Sequence, residues 1–244
     1  MSACLSSLAL HLPCVCHAPS AQNQEGNADK HQHHHHIQHG GGCRELKFAD
    51  IAEGLVFDKD EDAVCGVGKV FAAICAEAMI LKFDVDMIVN IGVAGSLTKD
   101  LSVLDIAVAK NVVQHDMDTS PMGDPVGLIS GPDVIFIEAD AHMNDVMAEC
   151  LKERGIKFKK GTIATGDQFI AREEQKEYIT DHFEAIAAEM EGGSIGHVCY
   201  VNQVPFAILR SISDGDGGII DYETFAEKAA VQSIEVVVDF INRI

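Results

Sequence analysis

"DMIVNIGVAGSL", residues 86–97, decides how the chain is read. Apart from Asn90, Met87 to Ile91 is a continuous apolar run that passes straight into Gly92 and Gly95. A strand with one wet face alternates apolar and polar residues; a strand covered on both faces does not. The segment therefore reads as a central strand ending in a glycine turn. Its neighbours extend the pattern. "DAVCGVG" (62–68) reads as a strand ending in glycines, and "KVFAAICAEAMILKF" (69–83) as a mostly buried helix. "DIAVAKNVVQHD" (105–116) alternates like a strand. "DAHMNDVMAECLKERG" (140–155) is an amphipathic helix with a basic end and a glycine stop. "FKKGTIATGDQF" (158–169) is a strand and turn, and "REEQKEYITDHF" (172–183) a surface helix. "EAIAAEMEGGSIGHVCYVNQV" (184–204) is a strand feeding a helix, and "PFAILRSISD" (205–214) another central strand. "DYETFAEKAAVQSIEVVVDFINRI" (221–244) closes the chain as an amphipathic helix. Apolar strands alternating with helices predict an α/β fold with a largely parallel sheet covered on both faces.

The 244 residues suit one α/β domain or two small ones. A net charge of −20 sets the chain against phosphate backbones and anionic membranes, so nucleic acid and membrane are not expected partners. No apolar run is long enough to span a bilayer. The start, "MSACLSSLALHLPCVCHAPSA", has the small-residue ending of a signal peptide but lacks its basic region, and His11 and Pro13 break its apolar run. Of the eight cysteines, Cys65, Cys75, Cys150 and Cys199 lie in apolar segments, as reduced core thiols do, and no CxxC pair occurs. The expectation is a cytoplasmic protein. Residues 1–43 differ from the rest. They contain "HQHHHHIQHGGG" and read as a low-complexity, disordered leader, with residues 44–244 as the folded domain.

Four segments put glycines or polar residues at predicted strand ends: "NIGVAGSL", "ATGDQFI", "AAEMEGG" and "RSISDGDGG". In open α/β sheets ligands bind beyond the carboxyl ends of strands. "AAEMEGG" poses a particular question, because Glu189 and Glu191 flank a residue about to be buried. A buried carboxylate must be paired, hydrogen-bonded or protonated. Nucleotide-phosphate loops do not account for these segments. In "AVCGVGKV" (63–70), Ala63 stands where a Walker loop needs glycine, and Val70 replaces its Ser/Thr. There is no GxGxxG, no nucleophile elbow, and no zinc-ligand spacing among His115, His142, His182 and His197.

Taken together, "NIGVAGSL", "GTIATGDQFI", "AAEMEGGSIGHVCYVNQVPFAILRSISDGDGG" and "DYETFAEKAA" resemble the 5′-methylthioadenosine/S-adenosylhomocysteine nucleosidases of the nucleoside phosphorylase superfamily. The resemblance covers about residues 62–244 and includes "VQHDMD" (113–118). It implies a three-layer αβα sandwich around a mixed, largely parallel sheet. It implies a homodimer that hydrolyses the bond between adenine and ribose, with no cofactor and no metal. By this resemblance Asp214 is the acid that protonates adenine at N7, and Ser213 helps to orient it. Such an acid must keep its proton until the transition state, which a dry pocket favours. Glu191 matches the glutamate on the ribose 2′- and 3′-hydroxyls, where a carboxylate stabilises oxocarbenium charge. Met190 matches the ribose-packing methionine, and Glu189 lies toward the purine side. Phe169 matches the aromatic stacked on adenine, and Ile170 the residue whose backbone reads its edge. Val93, Ala94 and Gly95 form the glycine-turn wall. Val67 and Tyr222 lie near the 5′-alkylthio group, with Met122 in "DTSPMGDPVG" (118–127) offered by the partner subunit. Phosphorolysis needs a clamp of several cationic donors. Asn90 stands where the phosphorylases of this superfamily carry an arginine, which favours hydrolysis.

The chain also departs from that family. The family's first strand and the acidic run after it, whose glutamate activates the attacking water, have no match in residues 1–43. Glu45 and Glu53 stand in the wrong context to replace it. Val93 replaces a common serine. Loss of the first strand predicts an uncovered sheet edge unless the leader covers it. Loss of the glutamate predicts slow hydrolysis or, alternatively, a nucleoside-binding pseudoenzyme. A gene product whose start lies elsewhere is the third reading.

Overall fold

The computed structural model describes residues 13–17, 62–83, 85–214 and 222–244. The strands are β1 (Pro13–His17), β2 (Asp62–Val64), β3 (Met87–Ser96), β4 (Ile106–Gln114), β5 (Phe136–Glu138), β6 (Phe158–Thr165), β7 (Ala185–Glu189) and β8 (Phe206–Asp214). The helices are α1 (Lys69–Phe83), α2 (Ala141–Glu153), α3 (Glu173–Phe183), α4 (Gly192–Asn202) and α5 (Tyr222–Ile241).

Five strands close on one another. β3 pairs with β7 and β8, β7 with β6, β6 with β4, and β4 with β8. The β3–β8, β4–β6 and β6–β7 pairs are parallel; β3–β7 and β4–β8 are antiparallel. This corrects the expected three-layer sandwich: the fold is α/β with a mixed sheet, but its centre is a closed ring rather than an open layer. Long strands make closure possible. β3 spans ten residues, so Ile88 to Gly95 pair with β8 along one side while its last two residues, Gly95 and Ser96, also reach β7. Closure pairs each of these strands on both sides over part of its length, and the start of β3 keeps a free side that β7 does not reach.

The core lies on both faces of the ring. Ile88, Ile163 and Ile208 pack with Ala72, Ala76 and Met79 of α1 and Ile195 and Cys199 of α4. Val89, Ile91, Val108 and Leu209 pack with Met143, Met147 and Leu151 of α2 and Val236, Val237 and Phe240 of α5. Consecutive residues of one strand therefore enter different cores, and that is why the strands read as continuous apolar runs. β4 was expected to alternate; instead every residue but Lys110 is buried, because both its faces are covered. Asp140 caps α2, its side chain accepting the Met143 N–H at 2.8 Å. Cys65, Cys75, Cys150 and Cys199 are all buried. Among the described residues, no helix is long and apolar enough to cross a membrane.

Five residues of the leader contribute a strand. β1 pairs antiparallel with β3, Cys14 opposite Asn90 and Cys16 opposite Ile88, and with β2 on its other side. "PCVCH" carries its proline only at the first position, where a strand tolerates it, and it docks on the side of β3 that β7 leaves free instead of building a core of its own. The rest of the leader, with Glu45 and Glu53, lies outside the described residues. α1 is less buried than its composition suggests. Ala72, Cys75, Ala76 and Met79 face the core, while Val70, Phe71, Ile74 and Leu81 are exposed along the opposite side.

Candidate active site

The carboxyl ends of β3, β7 and β8 meet at one glycine. Gly95 of β3 stands opposite Ala188 of β7 and opposite Asp214 of β8. The end of β6 joins them, with Thr165 opposite Glu189. Four segments distant in sequence thus end side by side, and three of them carry predicted site residues.

Glu189, the last residue of β7, is only 6% exposed. Its Oε2 accepts from Arg210 Nη2 at 2.5 Å, Arg210 Nε at 3.1 Å, the Gly192 N–H at 2.7 Å and the Glu191 N–H at 3.0 Å. Its Oε1 accepts the Thr165 hydroxyl. Burial works against ionisation, but the Arg210 charge and these bonds hold the carboxyl below the usual range. Arg210, 1% exposed, also donates to Asn90 Oδ1 at 2.5 Å. Its guanidinium lies across β3 where only glycine leaves room: a Cβ at Gly92 would stand 2.8 Å from Nη1. The glycines after the glutamates have the same origin. A Cβ at Gly192 would meet Ile208 Cδ1 at 2.8 Å, and one at Gly193 would meet Thr165 Cβ at 2.8 Å. "EMEGG" is therefore a tight corner where α4 starts against a buried ion pair.

Glu191 is placed differently. It is half-buried at the start of α4, and its Oε1 accepts the Gly68 N–H at 2.8 Å. Burial and then the nearby Glu189 charge raise its pKa, against the opposing pull of Arg210 and the backbone amides of Gly68 and Met190. Gly68 has φ +91°, a left-handed conformation that glycine tolerates. The next residue, Lys69, places its N–H on Asp167 Oδ1 at 2.8 Å and its ammonium on Asp116 Oδ1 at 2.7 Å. The "GVGK" turn, checked above as a phosphate loop, thus meets carboxylates from three other strand ends. An anion at that helix N-terminus would face charge of its own sign.

Of the predicted residues, Ala94 and Ile170 are buried, and Val93, Gly95, Met190 and Ser213 are half-buried. Ser213 Oγ donates to the Ala94 carbonyl at 3.2 Å, tying the ends of β8 and β3 together. Phe169 is 80% exposed and Val67 52% exposed, and both stand away from the packed core. Met122 is exposed too. Asp214 ends β8; its side chain and that of Tyr222 lie outside the described residues. A groove lined by His115, Asp116, Gln168, Ile170, Arg172 and Tyr178 runs along the side of the site where Ile170 lies. Sequence reasoning missed the network beneath these residues: Thr165, Asn90 and Arg210 around Glu189, and Lys69, Asp116 and Asp167 around Gly68. One signal was available. An arginine inside "PFAILRSISD" must find a buried anion.

An α/β ring whose strand ends gather carboxylates around a glycine turn has the form of a small-molecule site. Residues 63–242 match the model of the phosphorylase superfamily, and the chain belongs to that superfamily. It is 40% identical over 183 residues to the 5′-methylthioadenosine/S-adenosylhomocysteine nucleosidase of Staphylococcus saprophyticus, covering 73% of this chain and 79% of that one. It is 39% identical over 180 residues to the aminodeoxyfutalosine nucleosidase of Helicobacter pylori, covering 73% and 78%. Among solved structures, the Campylobacter jejuni 5′-methylthioadenosine/S-adenosylhomocysteine nucleosidase superposes with a TM-score of 0.72 at 32% identity, over 80% of this chain and 94% of that one. A mutant of the Helicobacter pylori enzyme with 5′-methylthioadenosine in its active site gives 0.71 at 37% identity, over 78% and 84%. The relatives are nucleoside N-glycosyl hydrolases, and this chain is of that class.

Proposed function

We propose that the protein hydrolyses the N-glycosidic bond of 5′-methylthioadenosine and S-adenosylhomocysteine, giving adenine and a 5-thio-ribose, as in methionine salvage. The observation that carries this reading is the convergence on Gly95, with Asp214 on one side and the end of β7, leading into Glu191, on the other. The reaction needs an acid for the base and a carboxylate for the sugar, on either side of one bond. Asp214 donates its proton to N7 of adenine as the C1′–N9 bond breaks and its electrons move into the ring. Glu191 accepts hydrogen bonds from the 2′- and 3′-hydroxyls, and its charge stabilises the oxocarbenium ion. Water adds to C1′ and its proton passes to bulk water, which balances the proton that Asp214 gave to adenine. Met190 packs on the ribose, and Val93, Ala94 and Gly95 form the adjoining wall. Phe169 and Ile170 hold adenine, Val67 and Tyr222 the 5′-alkylthio group, and Ser213 supports Asp214.

Hydrolysis is favoured over phosphorolysis by the state of Arg210, whose guanidinium is committed to Glu189 and Asn90 and cannot also hold phosphate. The exposed strip of Val70, Phe71, Ile74 and Leu81 supports a homodimer, with Met122 of each subunit reaching toward its partner's site. The cytoplasm is the compartment this reading implies. A water-activating glutamate has no match in the chain, so we expect turnover about 10²–10⁴-fold below that of an enzyme with one. The same gap supports the alternative, a nucleoside-binding protein without turnover. The likeness to the Helicobacter pylori aminodeoxyfutalosine nucleosidase supports aminodeoxyfutalosine as a second candidate substrate.

The test is adenine release from methylthioadenosine by the full-length protein, beside Asp214→Asn, with and without phosphate. We expect release that is independent of phosphate and abolished in the variant. Release untouched by Asp214→Asn would sink the assignment of the acid. No release, with a transition-state analogue bound, would establish the binding protein instead.

A further inference from the structure

The first turn of α1 carries no acidic residue of its own and begins with a lysine. That is the wrong charge for the positive end of a helix dipole. The acids that complement this end come from elsewhere in the chain. Asp167, after β6, accepts the Lys69 N–H at 2.8 Å; Glu191, after β7, accepts the Gly68 N–H at 2.8 Å. Asp116, after β4, accepts the Lys69 ammonium at 2.7 Å on Oδ1 and the Asp167 N–H at 2.9 Å on Oδ2. Gln114 Oε1 accepts a second N–H of the Lys69 ammonium at 3.3 Å. The Lys69 and Asp116 side chains are only 18% and 16% exposed. The pair is shielded from water, unlike surface pairs worth little. Burial works to raise the Asp116 pKa, yet the Lys69 ammonium and the Asp167 N–H bring it below the usual range.

We propose that Lys69 is a positioning residue for Glu191: it locks the Gly66–Lys69 turn onto the ends of β4 and β6, so that the Gly68 amide stays on the Glu191 carboxylate. The proposal rests on the reading of Glu191 as the ribose-binding group. Three features of the geometry support it. The Gly68 N–H and the Lys69 N–H belong to consecutive residues, so anchoring one aims the other. Asp116 is bonded to both Lys69 and Asp167, so the two anchors form one unit. The turn itself is tight: a Cβ at Gly68 would stand 3.0 Å from Asp167 Oδ1, besides the cost of φ +91°. Without the ammonium, Asp116 becomes a shielded charge lacking its cation, the turn drifts, and Glu191 loses a fixed donor. Small misplacements of a catalytic group cost up to about 10²-fold in rate.

The experiment uses the full-length protein as wild type, Lys69→Met, Lys69→Arg and Asp167→Ala. It reads kcat and KM for adenine release, and hydrogen exchange of the Gly68 amide. In Lys69→Met we expect kcat to fall by about 10²-fold, with KM changed less and the Gly68 amide exchanging faster. Lys69→Arg should restore most of both. A folded Lys69→Met protein with Gly68 still protected and kcat unchanged overturns the proposal. So does a loss of kcat that Lys69→Arg does not recover. If Lys69→Met fails to fold, Asp167→Ala decides, because Asp167 is exposed and its truncation strands no buried charge. Faster Gly68 exchange in that variant supports the clamp, and unchanged exchange overturns it. If the wild type releases no adenine, the reading of the reaction fails, while Gly68 exchange in the same variants still decides the clamp.

Discussion

Glu189 and Glu191 stand two positions apart, yet the fold treats them in opposite ways. Glu189 takes bonds from Arg210, Thr165 and the amides of Glu191 and Gly192, and is held ionised. Glu191 accepts the Gly68 amide but makes no ion pair of its own with Arg210, and burial beside a second carboxylate pushes its pKa up. One carboxylate is saturated and the other is left with open acceptor positions. The difference follows from where the chain turns. Glu189 ends β7 facing the neighbouring strands, where Arg210 and Thr165 project; Glu191 begins α4, one step outside them. The lesson is that proximity in sequence does not make two acids a catalytic pair. The first fixes the corner, and the second is presented by it.

The largest effect should come from breaking the saturated side. Arg210→Met leaves Glu189 buried without its cation, and removing one partner of a buried pair typically costs about 3–5 kcal/mol. Urea denaturation should show the loss, and a change below about 1 kcal/mol would mean that Glu189 is not held by charge. The open side should behave in the reverse manner. Glu191→Gln should lower kcat/KM by roughly 10²–10³-fold, as loss of one electrostatic contact to a transition state does, while the urea midpoint does not fall. If stability falls as far as activity does, Glu191 belongs to the corner and the contrast collapses.

Much of this contrast was not legible in the sequence. The fold class was, because "DMIVNIGVAGSL" and "PFAILRSISD" read as strands covered on both faces. Ring closure was not: it depends on β3 reaching β7 with its last two residues, and apolar runs do not encode pairing partners. β4 misled for the same reason, its expected polar alternation disappearing under helices on both faces. At the site, Glu191 and Asp214 stood out through their motifs. In the sequence Lys69 stands out only as the end of a phosphate-loop-like turn, since its partners Asp116 and Asp167 are 47 and 98 positions away. The resemblance sets Glu189 toward the purine side, whereas its bonds to Arg210 show it occupied in holding the corner.

A smaller effect tests the corner's steric side. Gly193 lies in α4, where alanine is intrinsically favoured by up to about 1 kcal/mol. Here a Cβ would press on Thr165 Cβ at 2.8 Å, on the residue that also bonds Glu189 through its hydroxyl. Overpacking of this kind costs about 1–3 kcal/mol, so Gly193→Ala should destabilise in urea. Stabilisation would show that the corner yields easily and that "EGG" is not dictated by packing.

The smallest effect, and the sharpest on the comparison, is the pH dependence of stability. Glu189 has a lowered pKa in the fold, so its contribution is present above the unfolded value of about 4.3 and is lost as pH falls through the folded one. Glu191 has a raised pKa, so its favourable contribution is present below about 4.3 and is lost as pH rises through the folded value. Glu189→Gln should therefore be less stable than wild type at neutral pH, by a margin that narrows on acidification below the ordinary glutamate range. Glu191→Gln should gain on wild type as pH rises through that range and keep the gain at neutral pH. Urea midpoints across pH for the three proteins give the two slopes. Opposite signs would mean that one corner holds one acid ionised and strains the other toward its protonated form. Slopes of the same sign would mean that neither burial nor the Glu189 charge holds Glu191 toward its protonated form, and that the corner does not separate the two acids.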